Sequence, residues 1–357
     1  MHLAFVICGS LSGVREGLSA ALAQRLTLSC LDLARADFWR RVRAGLLEFH
    51  PRREVWRRRT IRRLGGIAGF DALSRAATDS VLSLRPPADA VLQVVGLFSS
   101  AAAAPPGRFF LYCDFTAKLA DRAFPDWASE PTQRAGIYER EQRLYEAASR
   151  IFVVHEVARR SFVEDYGLPP GRVHIVGGGV RVDPLPAIDW AARRGAVLFV
   201  GKDFERHGGG LALDAMRILA EQRPEVRLLV VGAKVRQKGV RSWYRLPYDQ
   251  LCSPYAEAGV LLVLAKVGGM ATLLDGMAHG CACIALRGNP FAEAVIVEGE
   301  PGSLVSGDSA EQLATKTLTL IDDEDRCLQY AKQGRLLVER EFNWHRVVER
   351  MLPYLRQ

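Results

Sequence analysis

A doubly wound α/β fold in two domains is what this sequence predicts, on three observations. Short apolar runs recur along the 357 residues. Helical patterns fill the intervals between them, and glycine or proline bounds most of the runs. A run that is apolar on both of its faces suits a parallel strand covered by helices on either side. The length favours two domains at roughly 100–200 residues each, enough for a core apiece.

The elements follow in order. In the first half the strand candidates are residues 3–8, 26–31, 90–95, 109–112, 151–154 and 173–176. In the second half they are 196–200, 226–231, 260–264 and 281–286, with a further short strand at 239–240. The break between halves is predicted near residues 183–194, where Asp183-Pro184-Leu185-Pro186-Ala187 makes a proline-bearing joint before a fresh strand. Each half opens with a strand, a glycine turn and a helix. The first turn holds Gly9 and Gly13, and its helix lines up Leu18, Ala21, Leu22 and Leu26. The second holds Gly201, Lys202, His207 and Gly208, and its helix carries Leu211, Ala215, Ile218 and Leu219. Neither turn has the G-x-G-x-x-G spacing of a dinucleotide fold or the G-K-S/T ending of a P-loop. Both still offer an anion the free amides and positive dipole of a helix N-terminus. Two such halves facing each other across a hinge would form a cleft.

A third turn, Lys266-Val267-Gly268-Gly269, leads into a helix. Gly268 and Gly269 permit close backbone approach, Thr272 is placed to cap, and Leu273, Leu274, Met277 and Ala278 supply a buried face. Asp275 is expected on that helix's first turn, where a carboxylate either takes a ribose diol or steadies the helix start. His279 before Gly280 reads as the helix C-terminus. Lys202 and His207 are either cationic donors to a diphosphate or a solvated lysine and a loop-capping histidine.

Composition excludes several classes. Apolar residues at 49% and charged residues at 25% are ordinary for a globular chain, not for a disordered or fibrous one. Residues 1–9 lack a basic leader, and no apolar run approaches the ~20 residues that span a bilayer. The seven cysteines are scattered, and Cys281-Ala282-Cys283 lacks a second pair at metal-ligand spacing, so no metal site is expected. A reduced, cytoplasmic protein is predicted, with peripheral attachment to a membrane left open.

The formal charge of +8 is local. Residues 40–63 contain ten arginines against two glutamates, and the rest of the chain is balanced. Pro51 can start a helix, along which Val55, Trp56, Ile61 and Leu64 punctuate Arg52, Arg53, Arg57, Arg58, Arg59, Arg62 and Arg63. With the apolar residues Val42, Leu46, Leu47 and Phe49 beside it, this segment suits an anionic membrane surface. The alternatives are a solvated, acid-paired helix face or a polyanionic partner. No nucleic-acid partner is expected, because one basic cluster brings no stacking platform or reading motif.

Taken together, Val200-Gly201-Lys202 with His207-Gly208, the 267–280 segment, Glu293 and Gly302 resemble glycosyltransferase family 4, nucleotide-sugar enzymes of the GT-B fold. Tyr112-Cys113-Asp114-Phe115-Thr116, Asp126-Trp127, the 141–148 segment, 151–155, 165–168 and 176–180 resemble the family's acceptor domain. Phe342-Asn343-Trp344 resembles its ending. The resemblance implies two facing Rossmann-like domains, an acceptor-side domain at 1–185 and a donor-binding domain at 186–340. A C-terminal helix at 341–357 would pack back on the first domain. It implies a retaining, metal-independent transfer of sugar to a hydroxyl of a glycan, a lipid-linked molecule or a small molecule. A nucleotide-diphosphate sugar would be the co-substrate, and no resident cofactor is expected. The donor would be held by Gly9, Gly13, Gly201, Lys202, His207, the 268–272 backbone (Gly268, Gly269, Met270, Ala271, Thr272), Asp275 and Glu293. Lys202, His207 and Asp114 are the catalytic candidates.

The chain departs from the family pattern in its Glu-x7-Glu motif, in its two phosphate cations, in the short segment from Val231-Gly232 to Gly239-Val240, and at the acceptor-side histidine. Asp275 stands for the second Glu of the Glu-x7-Glu motif, and Val267 falls where the first Glu belongs. Lys202 replaces an Arg and His207 a Lys, so a bidentate fork and a permanent charge are lost. The acceptor-side histidine is missing; Asp114, Thr116 and Lys118 lie near its place, and Asp114 is preferred, with a loop-capping role as the alternative. A non-catalytic relative that binds a nucleotide sugar, or partners an active subunit, is the competing reading. A GT-B epimerase or phosphorylase is a third, with no residue to distinguish it.

Overall fold

A computed structural model of the chain describes residues 1–9, 13–123, 131–182, 184–190, 193, 195–298 and 300–357. Asp126 and Trp127, and Asp183 of the joint, lie outside the described residues, as do the side chains of Arg57, Arg58, Ile61 and Arg62. The chain packs into two compact units. The first is Met1–Gly178 with Trp344–Gln357, and the second is Gly179–Asn343. The division therefore falls ahead of the proline-bearing joint, which belongs to the second unit, and the last helix belongs to the first.

Among the described residues the first unit holds a six-stranded parallel sheet. Its strands are β1 (His2–Ile7), β2 (Thr27–Asp32), β3 (Ala90–Val94), β4 (Phe109–Tyr112), β5 (Arg150–Val153) and β6 (Val173–Ile175), in the spatial order β2-β1-β3-β4-β5-β6. Phe5 of β1 sits opposite Cys30 of β2 and Leu92 of β3. Both faces of β1 are covered, which is why its sequence is continuously apolar. Leu3, Phe5 and Ile7 pack with Leu18, Leu22 and the last helix, Trp344–Leu355. Ala4 and Val6 face the opposite way, onto Leu73, Ala77 and Phe109. Each such aliphatic or aromatic side chain withdrawn from water contributes about 1.5–3 kcal/mol. A Cβ on Gly17 would lie 2.0 Å from the Trp344 indole, so the helices Val14–Ala23 and Trp344–Leu355 meet at closest range there.

The second unit holds a seven-stranded parallel sheet. Its strands are β7 (Ala196–Val200), β8 (Arg227–Val231), β9 (Val240–Trp243), β10 (Val260–Val263), β11 (Ala282–Leu286), β12 (Val297–Glu298) and β13 (Pro301–Val305), in the order β12-β13-β11-β10-β7-β8-β9. Alternate residues of β7 again enter two cores, Ala196 and Leu198 one and Val197 and Phe199 the other. Cys281 and Cys283 are buried in the first of these, where burial raises both thiols. Strands β12 and β13 have no counterpart in the sequence expectations.

The arginine-dense segment folds as two helices, Ala34–Leu47 and Arg53–Leu64, the second beginning two residues beyond Pro51. Part of its charge is internal cement. Buried Asp37 takes Arg40 and Arg41, Arg40 also donates to Leu64 O at 2.8 Å, and Arg63 pairs with Glu48 at 2.8 Å. Arg43, Arg52, Arg53 and Arg59 form no ion pair among the described residues. Trp56 is tied inward, its Nε1–H donating to Gly45 O at 2.7 Å.

Candidate functional site

The second unit changes winding direction between β7 and β10. From β7 the chain steps outward to β8 and β9, then returns to β10 on the other side. The carboxyl ends of two such strands are where an open α/β sheet receives ligands. Here both strands run into helices whose N-termini are capped by glycine backbone alone. After β7, Gly201 N–H donates to Val231 O at 2.8 Å and Lys202 is exposed. Gly208, at φ 84°, then caps the helix Gly209–Gln222 without any side-chain hydrogen bond. A Cβ on Gly208 would lie 2.7 Å from the Leu264 carbonyl oxygen, so this turn is pressed against the end of β10. His207 Nδ1 is 2.6 Å from Asp203 O. A carbonyl only accepts, so Nδ1 is the donor in this contact.

After β10, Gly268 and Gly269 both take φ 82°, and Gly269 caps the helix Met270–Ala278, again with no side-chain cap. The first-turn N–H groups of Met270, Ala271 and Thr272 therefore have no partner inside the helix. Thr272, expected as the cap, lies within the helix instead, because the paired left-handed glycines start it three residues earlier. Val267 is half-buried, and Lys266 pairs at the surface with Asp308. Asn289 holds this turn and was not anticipated. Fully buried, it donates from Nδ2 to Ala265 O at 2.8 Å and Gly268 O at 2.9 Å. Its Oδ1 accepts from Phe291 N and Ala292 N, capping the short helix Pro290–Glu293. The Asn-Pro dipeptide was the available signal. Exposed Glu293 ends that helix and accepts from Gly288 N–H at 2.8 Å, so its carboxylate closes its own loop.

Asp275 lies on the second turn of its helix, not the first, since the helix begins at Met270. It is 3% exposed. The Arg181 Nε stands 3.9 Å from one carboxylate oxygen and the Tyr248 hydroxyl 3.4 Å from the other, both long contacts. The Arg181 guanidinium lies over the Tyr248 ring at 4.6 Å. Burial pushes the Asp275 carboxyl up to about 6, against the opposing pull of Arg181 and Tyr248. Arg181, through both its charge and its backbone N–H, and the Tyr248 hydroxyl are thus the groups set against the cost of burying this carboxylate. His279 closes the helix, its Nδ1 2.7 Å from Asp275 O and its ring stacked on Tyr255 at 5.0 Å, a structural role as expected.

In the first unit the winding reverses between β1 and β3. Gly9 N–H after β1 donates to Asp32 Oδ1 at 2.9 Å, and Arg15 Nη1 donates to Asp32 Oδ2 at 2.5 Å. Gly13, at φ 85°, caps the helix Val14–Ala23 with no side-chain bond; residues 10–12 of this turn lie outside the described residues. Asp32, at the end of β2, thus positions a turn that sequence reasoning credited to glycine alone. At the end of β3, Val95 takes φ 67°, a strained conformation for a β-branched residue. Buried Gln93 enforces it, donating to Val95 O and Phe98 O and accepting from Ser100 N and Oγ. Strain of this kind collects at functional sites, and the Val95 turn is a second feature the sequence did not announce.

Of the three acceptor-side candidates after β4, Asp114 is exposed. Thr116 is buried, bonded to Ser161 Oγ at 2.6 Å and accepting from Leu119 N. Lys118 donates to Asp165 O at 2.6 Å and lies over the Tyr166 ring. Buried Glu141 anchors this loop, accepting from Ala117 N–H and from the Tyr166 hydroxyl; burial raises its carboxyl to about 7.

Residues 194–323, which contain both turns and Asp275, match the family described as "Glycosyl transferases group 1". The chain is 25% identical over 167 residues to a GDP-mannose-dependent monoacylated alpha-(1-6)-phosphatidylinositol monomannoside mannosyltransferase of Corynebacterium glutamicum, covering 42% of this chain and 44% of that protein. It is 26% identical over 243 residues to a D-inositol 3-phosphate glycosyltransferase of Thermobispora bispora, covering 59% and 56%. The matches thus span about half the length of the curated relatives. Among solved structures, a sucrose-phosphate synthase from Thermosynechococcus elongatus superposes with a TM-score of 0.67 at 17% identity, over 99% of this chain and 98% of that one. A UDP-forming α,α-trehalose-phosphate synthase from Burkholderia vietnamiensis gives 0.67 at 13%, over 100% of both. The fold is that of GT-B glycosyltransferases, with two parallel Rossmann-like α/β units.

Proposed function

We propose that this chain is a glycosyltransferase that moves a sugar from a nucleotide-diphosphate donor to an acceptor hydroxyl. One observation carries the reading. Two glycine-capped, otherwise uncapped helix N-termini stand at the ends of the adjacent strands β7 and β10, where the second unit's sheet reverses. Such a pair of positive dipole ends with open amides suits a diphosphate. Lys202 and His207 are the side-chain candidates for the diphosphate, and Asp275 offers its carboxylate to the ribose. The match of residues 194–323 to glycosyl transferases group 1, and two relatives named as glycosyltransferases, support the assignment.

The finer reading is a family 4 enzyme that retains anomeric configuration. The leaving diphosphate is neutralised by helix ends and side chains and needs no metal ion, while the acceptor hydroxyl is held on the face the diphosphate leaves. Asp114 is the first unit's candidate for the acceptor hydroxyl. The acceptor belongs to a glycan, a lipid-linked molecule or a small molecule. A cytoplasmic setting accords with seven cysteines that are all free thiols.

Val267, an apolar residue where the family places a sugar-binding Glu, favours a second reading in which donor is bound but not turned over. One experiment separates the two. UDP-, GDP- and ADP-sugars and the free nucleoside diphosphates are screened by thermal shift, with release of nucleoside diphosphate followed in parallel. The enzyme reading requires one donor that both stabilises the protein and is slowly hydrolysed. Stabilisation without any release selects the non-catalytic reading, and no stabilisation by any nucleotide overturns both.

A further inference from the structure

We propose that the helix Ala34–Leu47 is a docking edge that lies in the surface of an anionic phospholipid bilayer. The proposal goes beyond glycosyl transfer and does not need it. The helix is inside out for a soluble protein. At 100° per residue, Phe38, Trp39, Val42 and Leu46 fall within one arc of about 100°. That arc is the exposed one: Phe38 is 57%, Trp39 61% and Leu46 75% exposed. The opposite face buries Asp37 and Ala44, with Asp37 gripping Arg40 and Arg41. The clamp from Arg40 to Leu64 O and the bond from Trp56 to Gly45 O fix the helix against its neighbour, Arg53–Leu64, so the apolar face is held outward by construction.

Charge identifies the occupant. Arg43, Arg52, Arg53 and Arg59 are exposed and without ion pairs among the described residues, in a segment that carries the chain's whole net charge. Aromatic and aliphatic side chains at the acyl boundary, with arginines at the headgroups, are what an interfacial helix presents. A second copy of the chain would bring the same arginines against one another. Among the described residues no helix is long and apolar enough to cross a membrane.

The test is cosedimentation of the full chain with vesicles of phosphatidylcholine alone and of phosphatidylcholine mixed with phosphatidylglycerol, at low and high salt. Two variants accompany it: Phe38→Ser with Trp39→Ser and Leu46→Ser, and Arg43, Arg52, Arg53 and Arg59 each→Gln. The wild type is expected to bind the anionic vesicles, less so at high salt, and each variant to bind them roughly tenfold or more weakly. Far-UV circular dichroism and melting temperature, which need no ligand, are expected to match the wild type. Binding that is absent, equal on neutral vesicles, or unchanged in the serine variant overturns the proposal. So does a concentration-dependent dimer that the serine variant abolishes, with no vesicle binding. None of these outcomes bears on the donor screen, so either proposal can fail alone.

Discussion

Asp275 is a carboxyl held where its charge is expensive. Its pKa stands at about 6 in the folded protein against 3.8 for an ordinary aspartate. The folded state therefore binds more protons than the unfolded chain between those values. The stabilising contribution of the neutral form is full below pH 3.8, is lost as pH rises to about 6, and leaves a constant penalty above. That penalty is of order 2–3 kcal/mol. Asp275→Asn removes it, so the variant is expected to gain on the wild type from pH 3.8 to about 6, by denaturant unfolding at each pH. Comparing variant with wild type cancels Glu141, whose raised carboxyl is common to both. Ligand binding runs the opposite way. A ribose diol needs the carboxylate, so the nucleoside-diphosphate affinity that the wild type holds over Asp275→Ala should shrink as pH drops below about 6. Asp275→Ala should lose roughly tenfold or more in affinity, about 1.4 kcal/mol or above. Affinity unchanged in Asp275→Ala removes the residue from the site and leaves it as an anchor for Arg181.

At the scale of elements, the turn after β10 depends on a residue that touches no expected ligand. Asn289 supplies two donor contacts to carbonyls and caps a helix, so its two ends can be separated by substitution. Asn289→Asp keeps the cap but loses the donors; Asn289→Ala loses both. The alanine variant is expected to cost about 2–4 kcal/mol, the sum of a lost cap and buried unsatisfied carbonyls. Because the Gly268 carbonyl is one of those released, nucleotide affinity should fall in both variants. Full affinity in both would show that Asn289 serves stability alone. Strands buried on both faces were legible because continuous apolar runs leave few alternatives, and β4 and β7 fall at their expected residues. Strand β13 was not, because Pro301-Gly302-Ser303 reads as a turn. In the sheet, Gly302 is there because a Cβ would come 2.6 Å from Cys283 O, a contact that no local pattern encodes. The site followed the same divide. The glycine turns are local signals, whereas Asp32 and Arg181 act on residues distant in the chain.

For the whole molecule, the first unit is closed by a segment more than 150 residues removed from the rest of it. Trp344 fits over Gly17 and meets the Tyr112 ring edge at 6.4 Å, while Val347, Val348, Met351 and Leu355 continue the same face into the core. The amphipathic repeat of that helix is plain in the sequence, but its destination came only from the family resemblance. Trp344→Ala leaves a cavity against a glycine that cannot fill it, and a loss of about 3–5 kcal/mol is expected. Denaturant midpoints at constant slope measure it. The same variant separates packing from chemistry. Trp344 belongs to the first unit, and Gly208, Gly269 and Asp275 to the second. Nucleoside-diphosphate affinity, measured well below the unfolding transition, is expected to stay within about twofold of wild type, as it does for independent sites. A stability loss below ~1 kcal/mol would mean that the first unit repacks around the gap. Affinity that falls together with stability would place the last helix in communication with the diphosphate turns.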